Sequence, residues 1–237
     1  MNDEKKFTEE SIINKALNKC LCNLKDEREF YLNEDDFKFS FAQALKECGA
    51  DEIILEYPIS VNDLYSVKSE VTKEIKKSER RKIDVRFRYQ RKEVFVELKY
   101  KQRKTKVTRY NHEFTLHNHA AQNDGLYAIY LDIERMEAIK DIHTGCKSFC
   151  IFITNDETYI RPHNEEQYGG ISLCRDDNSF VSRSGTIEYN PGNRNYRNLY
   201  IDKNYKTNFF VFKKLSPDIK NSIFWIMVID LQKPVTN

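Results

Sequence analysis

The stretch IDVRFRYQRKEVFVELKY, residues 83–100, alternates apolar and charged side chains on both sides of a polar break at Gln90-Arg91. Alternation of period two marks a strand with one buried face, so the segment predicts an antiparallel hairpin. Turning the chain at Gln90-Arg91 sets Phe87 against Val94 and Val85 against Val96 on one continuously apolar face. A slip of one residue would mix charge into that face. The same register sets Asp84 opposite Glu97, with Lys99 on the same side one step further along. Directly opposed residues have Cβ atoms about 4.5 to 5.5 Å apart, so two carboxylates converge at the open end of the hairpin. Their repulsion must be offset. A divalent cation is the natural offset, because Mg²⁺ prefers carboxylate oxygens and keeps water and phosphate in its remaining positions. The competing reading is a solvated charged face in which Lys99 pairs with Glu97 or Asp84.

Working outward, TEESIINKALNKCLCNLK predicts a helix over about residues 8–25, with Ile13, Ala16, Leu17, Cys20, Leu21 and Leu24 at helical spacing and Thr8 or Ser11 as N-cap. NEDDFKFSFAQALKECG predicts a second, capped by Asn33, with Phe37, Phe41, Ala44, Leu45 and Cys48 inward and Gly49 ending it. EIILEYPIS reads as a strand stopped by Pro58, and SVKSEVTKEIKKSERR as a loop or an exposed helix. A basic loop after the hairpin leads to a helix over about His119 to Lys140, then to the strand CKSFCIFITN. Residues 156–198 are polar and read as loops with short strands, and FFVFKKL and SIFWIMVIDL close the chain as strands. The order predicts an α/β domain, a central mixed β-sheet flanked by α-helices. With no Gly/Ser/Pro linker in sight, residues 1–237 are read as one domain.

Lys and Arg number 39 against 37 Asp and Glu, a net charge of +2 that excludes nothing by itself. The basic residues concentrate between Lys73 and Arg109, around the hairpin. No secretory leader or long apolar run occurs, so a cytoplasmic, soluble protein without membrane partners is expected. The six cysteines include no CxxC pair and read as reduced thiols. Cys146 and Cys150, with one of His112, His117, His119 or His143, lack the tight spacing of a structural zinc site.

Ile83-Asp84 followed by Val96-Glu97-Leu98-Lys99 resembles the PD-(D/E)xK nuclease superfamily, the restriction-endonuclease-like fold, with "ID" in place of "PD". The order of helix, strand, Asp strand, ExK strand, helix and strand resembles that family's αβββαβ core over about residues 30–155, with the helix at 8–25 before it and a C-terminal extension over 156–237. HAAQNDGLYAIYLDIERME and FITND are similar to uncharacterised bacterial members.

The resemblance implies that Asp84, Glu97 and the Leu98 carbonyl hold Mg²⁺ or Mn²⁺, and that Glu34, preferred over Glu29, Asp35 and Glu47, completes the shell directly or through water. Lys99 then orients the attacking water or stabilises charge developing on the phosphate. Gln122 is a fifth candidate for the site, against the reading of a helix-surface glutamine, and Asp124, Asp132, Arg135 and Glu137 read as salt-bridge or capping residues. Double-stranded DNA is the expected partner, met by Arg81, Lys82, Arg86, Arg88, Lys101, Arg103, Lys104, Lys106 and Arg109. Arg194 and Arg197 are candidates for base contacts, and Tyr189, Tyr196 and Tyr200 for stacking. The implied activity is Mg²⁺-dependent endodeoxyribonuclease action, in restriction or defence against foreign DNA. A structure-specific repair or recombination nuclease and a non-catalytic binding module of the same fold are the alternatives. A homodimer is expected from fold analogy alone.

Overall fold

The computed structural model describes residues 12–60, 81–109, 111–119, 121–162, 171–174, 180–189 and 197–235. The side chain of Arg81 and all of Thr8, Ser11, Arg194, Tyr196 and the SVKSEVTKEIKKSER segment lie outside these described residues.

Two helices open the chain. In α1 (Ile12–Glu27) the expected apolar stripe, from Ile13 to Leu24, is buried. Asn33 caps α2 (Glu34–Glu47) by accepting from the Asp36 N–H at 2.8 Å. Glu34, Asp35 and Asp36 occupy the first turn of α2, where the helix dipole favours negative charge. Gly49, at φ 89, ends the helix in the left-handed region that an L side chain avoids.

A six-stranded mixed sheet follows, built from β1 (Asp51–Ile59), β2 (Arg81–Tyr89), β3 (Lys92–Lys101), β6 (Lys147–Thr154), β9 (Phe209–Lys214) and β10 (Ile223–Asp230), in the order β1-β2-β3-β6-β10-β9. Among the described strands only β3 and β6 run parallel, joined through α3 (Gln122–Ile142). The α1/α2 side of the sheet buries Val85, Phe87, Val94, Val96 and Leu98, and the α3 side buries Phe95, Cys150 and Phe152. Cys146 and Cys150 are buried free thiols. The hairpin pairs Val85 with Val96 and Phe87 with Val94, the register read from the apolar alternation. Pro58 does not stop β1, which runs on to Ile59. β1 is an edge strand, and a proline there removes no ladder donor that a neighbour needs.

The basic segment after β3 is a hairpin instead of a loop, β4 (Thr105–Arg109) with β5 (His112–Leu116), which buries Val107 and Leu116 against the α1/α2 side. The polar C-terminal segment contributes β7 (Gly185–Ile187) and β8 (Leu199–Ile201). It is tied to α3 by two buried carboxylates: Glu134 accepts the Tyr200 N–H at 2.8 Å, and Glu137 accepts the Asp202 N–H at 2.9 Å and the Tyr205 hydroxyl at 2.9 Å.

One irregularity positions the site. The β2–β3 ladder ends at Val85 and Val96, while β1–β2 continues to Ile59 and Arg81 and β3–β6 continues to Lys101 and Thr154. The sheet therefore forks. Val85 packs on the α1/α2 side but Ile83 on the α3 side, although residues two apart on a regular strand share a face. The ribbon turns over at Asp84 and at the residue between Leu55 and Tyr57 on β1, Glu56, whose φ is 54. A non-glycine residue in that region is strained by about 1 to 3 kcal/mol and persists only where the surroundings hold it.

Candidate active site

Asp84 sits in the crotch of the fork. Its Oδ2 accepts the Leu98 N–H at 2.8 Å, taking the place of the lost ladder bond, and its Oδ1 lies 2.8 Å from Lys38 Nζ on α2. Lys38 also pairs with Glu56, so the strained residue of β1 is held by the cation that holds Asp84. Glu97 comes from the facing strand, is 3% exposed, and hydrogen-bonds to Asp84. From the α3 side, Arg135 Nε stands 3.0 Å from Glu97 Oε1, and Arg135 also binds Asp132. Lys99 Nζ lies 3.3 Å from Asp132 Oδ2 and 3.8 Å from Glu34 Oε1, and Glu34 Oε2 accepts the Tyr100 N–H at 3.0 Å.

Burial and mutual charge separate these groups. Burial pushes Glu97 well above the usual carboxylate range, against Arg135 and with the help of Asp132 and Asp84. Burial also acts to raise Asp84, but hydrogen bonds with Glu97, Lys38 and the Leu98 N–H outweigh it and hold the group below its usual range. Burial and hydrogen bonding thus push the two neighbouring carboxyls in opposite directions, Glu97 up and Asp84 down. Burial raises Glu34 despite Lys99 and the Tyr100 N–H. Asp132, then Glu34, Glu97 and Asp84, raise Lys99 above its ordinary value against the opposing effect of burial. Lys99 is therefore a fixed cation.

Asp84, Glu97, Lys99 and Glu34 are brought together. Gln122 is not: its side-chain amide donates to Asp156 Oδ2 at 3.1 Å, among partners that Lys99 does not share. Asp132 and Arg135, read from sequence as salt-bridge or capping residues of their helix, pair with each other and also engage Lys99 and Glu97. Lys38 and Glu56 were not singled out by the sequence. Lys38 lies four residues after Glu34 on α2, a spacing that places both on one helix face.

The expected nucleic-acid contacts divide. Arg86 pairs with Glu93 and Glu52, and Arg88 with Glu52. Lys82 lies 3.4 Å from Glu56, Lys106 2.8 Å from Glu113 and Arg109 4.0 Å from Glu29. Arg197 binds the buried Glu134, which corrects its reading as a base contact, and Tyr189 is buried, which removes it as a stacking platform. Lys101 is half-buried at the end of β3, and Lys104 is exposed beside Arg103.

Among the described residues no group of three or more His, Cys, Asp or Glu side chains is arranged to hold a metal ion. Mg²⁺ does not need one, because it is commonly held by one or two carboxylates together with substrate phosphate. The donor chemistry present fits that mode. Asp84 and Glu97 are neighbouring carboxyls that raise the cost of charge on each other, and Glu97 Oε1 is buried without an aligned hydrogen bond. The Leu98 N–H points at Asp84 past the end of the ladder, and the carbonyl of an extended residue points the same way as its N–H. Among the described residues no helix is long and apolar enough to cross a membrane. No protein-family model, curated protein or solved structure matches this chain.

Proposed function

We propose that this chain is a metal-dependent endodeoxyribonuclease with a restriction-endonuclease-like core running from α2 through β1, β2, β3 and α3 to β6. The observation that carries the reading is the fork: where the strands part after Val85 and Val96, Asp84, Glu97 and Lys99 gather in one charge cluster that Glu34 joins from α2. Asp84, Glu97 and the Leu98 carbonyl would hold a divalent ion, with Glu34 beside them. When bound, that ion supplies Lewis-acid polarisation of the phosphoryl oxygen and acidifies water.

The remaining roles belong to the chain. Water attacks phosphorus, the bond to the leaving sugar oxygen breaks, and that oxygen takes up a proton. Lys99, held as a cation by Asp132, stabilises the negative charge gathering on the phosphoryl oxygens. Glu34, raised by burial and beside Lys99, would accept the proton that the water gives up. Arg135 and Lys38 fix the orientation of Glu97 and Asp84.

The test is cleavage of linear and supercoiled plasmid, phage DNA, single-stranded DNA and RNA with Mg²⁺, Mn²⁺ or EDTA, beside Asp84→Ala, Glu97→Ala and Lys99→Ala. Metal-dependent cleavage of duplex DNA lost in each folded variant is expected. Full activity in any one of them removes that residue from the mechanism. Failure to cut any substrate under all conditions sinks the enzymatic reading.

A further inference from the structure

Asn155 and Asp156 follow β6 directly and are among the least exposed polar residues described, at 1% and 2%. Each is a hub. Asn155 Oδ1 accepts the Arg103 N–H at 2.7 Å, while its Nδ2 donates to Thr105 Oγ1 at 2.8 Å and to the Asn221 carbonyl at 3.0 Å. Asn221, in the turn between β9 and β10 with φ 56, returns a bond to the Lys104 carbonyl at 3.0 Å. Asp156 Oδ2 holds Arg103 Nε at 2.9 Å and the Gln122 amide, and its Oδ1 accepts the Thr158 N–H at 3.0 Å. The Arg103 guanidinium is held a second time through Nη2 to Thr158 Oγ1 at 3.1 Å. Three segments far apart in sequence are thereby locked around an open cleft of about 860 Å³.

That cleft is positively charged. Arg103, Lys104, Arg161 and Lys220 line it against Asp156 and Glu157. Arg161 is paired with Glu157. Asp156 is spent on orienting Arg103. Lys104 and Lys220, on opposing segments, are exposed and have no carboxylate partner among the described residues. The location also points to a ligand, since crevices beyond the carboxyl ends of parallel strands are where open α/β sheets bind them, and β3 and β6 are the parallel pair here.

We infer that this cleft is a second phosphate subsite, which grips the sugar-phosphate backbone of the DNA strand beside the scissile group. This rests on the nuclease reading above. Arg103 follows Lys99 by four residues, a span of at most about 14 Å. Phosphates recur every 3.4 Å of axis along a duplex strand. A strand cut at Lys99 therefore carries another phosphate within reach of the cleft. Lys104 and Lys220 clamp it from two sides and Arg103 is preset by Asp156, so the subsite supplies affinity and register and takes no part in bond breaking.

The test is binding of a short DNA duplex, followed by fluorescence anisotropy in EDTA between about 50 and 200 mM salt, for the wild type and Lys104→Gln/Lys220→Gln. Loss of two phosphate contacts makes the slope of log K against log salt shallower by about 1.8, equivalent to about 60-fold weaker binding at 0.1 M salt. Unchanged melting temperature guards against misfolding, and both lysines are exposed. A wild-type slope in the double variant overturns the subsite, and does so even if the enzyme cuts DNA. The expected slope change without cleavage by the wild type in Mg²⁺ upholds the subsite as a DNA grip while the nuclease reading falls. Stabilisation by inorganic phosphate, lost in the double variant while duplex binding stays as in the wild type, identifies a small-anion site and also overturns the proposal.

Discussion

Replacing Arg135 with methionine tests whether the site is held together by charge. The side chain is largely buried and serves two buried acids, with Nε 3.0 Å from Glu97 Oε1 and Nη2 on Asp132. Removing one partner of a buried ion pair costs about 3 to 5 kcal/mol. For a chain of this length 1 kcal/mol corresponds to about 2 to 4 °C, so the melting temperature falls by roughly 6 to 20 °C at about pH 8. The pH dependence carries the sharper information. Glu97 is raised in the folded protein, chiefly by burial, and Arg135 is the main influence pulling it down. Above the unfolded value of about 4.3 the native state keeps a proton that the unfolded chain has lost, so this group's contribution falls as pH rises through the folded pKa. Arg135→Met lifts that folded value further and lengthens the fall. The variant is therefore destabilised most at about pH 8, and the part of the loss due to Glu97 vanishes near pH 4, where the carboxyl is protonated in both states. Urea denaturation in EDTA across this range measures it. A destabilisation below about 1 kcal/mol, or one that is the same at both ends, refutes the buried cluster.

Two substitutions test the frame around the site. A methyl group on Gly125 of α3 would lie 2.1 Å from the hydroxyl oxygen of the buried Tyr159, so Gly125→Ala lowers stability by about 1 to 3 kcal/mol despite the better helix propensity of alanine. The Tyr159→Phe background recovers part of the loss, and equal melting temperatures for Gly125→Ala and the wild type would count against this packing. Ala121 caps α3 at φ 70 with no side-chain hydrogen bond. Glycine there relieves about 1 to 2 kcal/mol of left-handed strain at an entropic cost of about 0.5 to 1 kcal/mol, so Ala121→Gly raises the melting temperature by up to about 6 °C. A drop on calorimetry contradicts the cap geometry.

The hairpin and its register were legible because only one pairing of residues 83–89 with 92–100 keeps Val85, Phe87, Val94 and Val96 on one face. The β4–β5 hairpin was not. TKVTR and HEFTL alternate, but each turns few apolar residues inward, and their charges read as a loop. The Asp132–Arg135 salt bridge was legible from its i,i+3 spacing, but not that both side chains also reach Lys99 and Glu97. A corrective signal was present. LYAIYLDIERMEAI is apolar on nearly every side, and a helix of that kind is buried all round, so any charge it carries needs a partner. Glu56 was out of reach, since nothing in the local pattern of EIILEYPIS shows that it comes to lie opposite Asp84.

The charge balance of the fork explains how nine ionisable groups come together there. Counted with Glu97 in the protonated form that its burial favours, the anions Glu34, Glu56, Asp84 and Asp132 face the cations Lys38, Lys82, Lys99 and Arg135, and the cluster is neutral. A divalent cation adds two positive charges. Release of the Glu97 proton removes one, and a phosphodiester brings one negative charge. Ion and substrate together thus leave the cluster neutral, while either alone leaves a net charge in a low-dielectric site, where such charge is costly. On the nuclease reading, the fork favours joint binding: the affinity for Mg²⁺ rises when DNA is present, and the affinity for DNA rises by the same factor when Mg²⁺ is present.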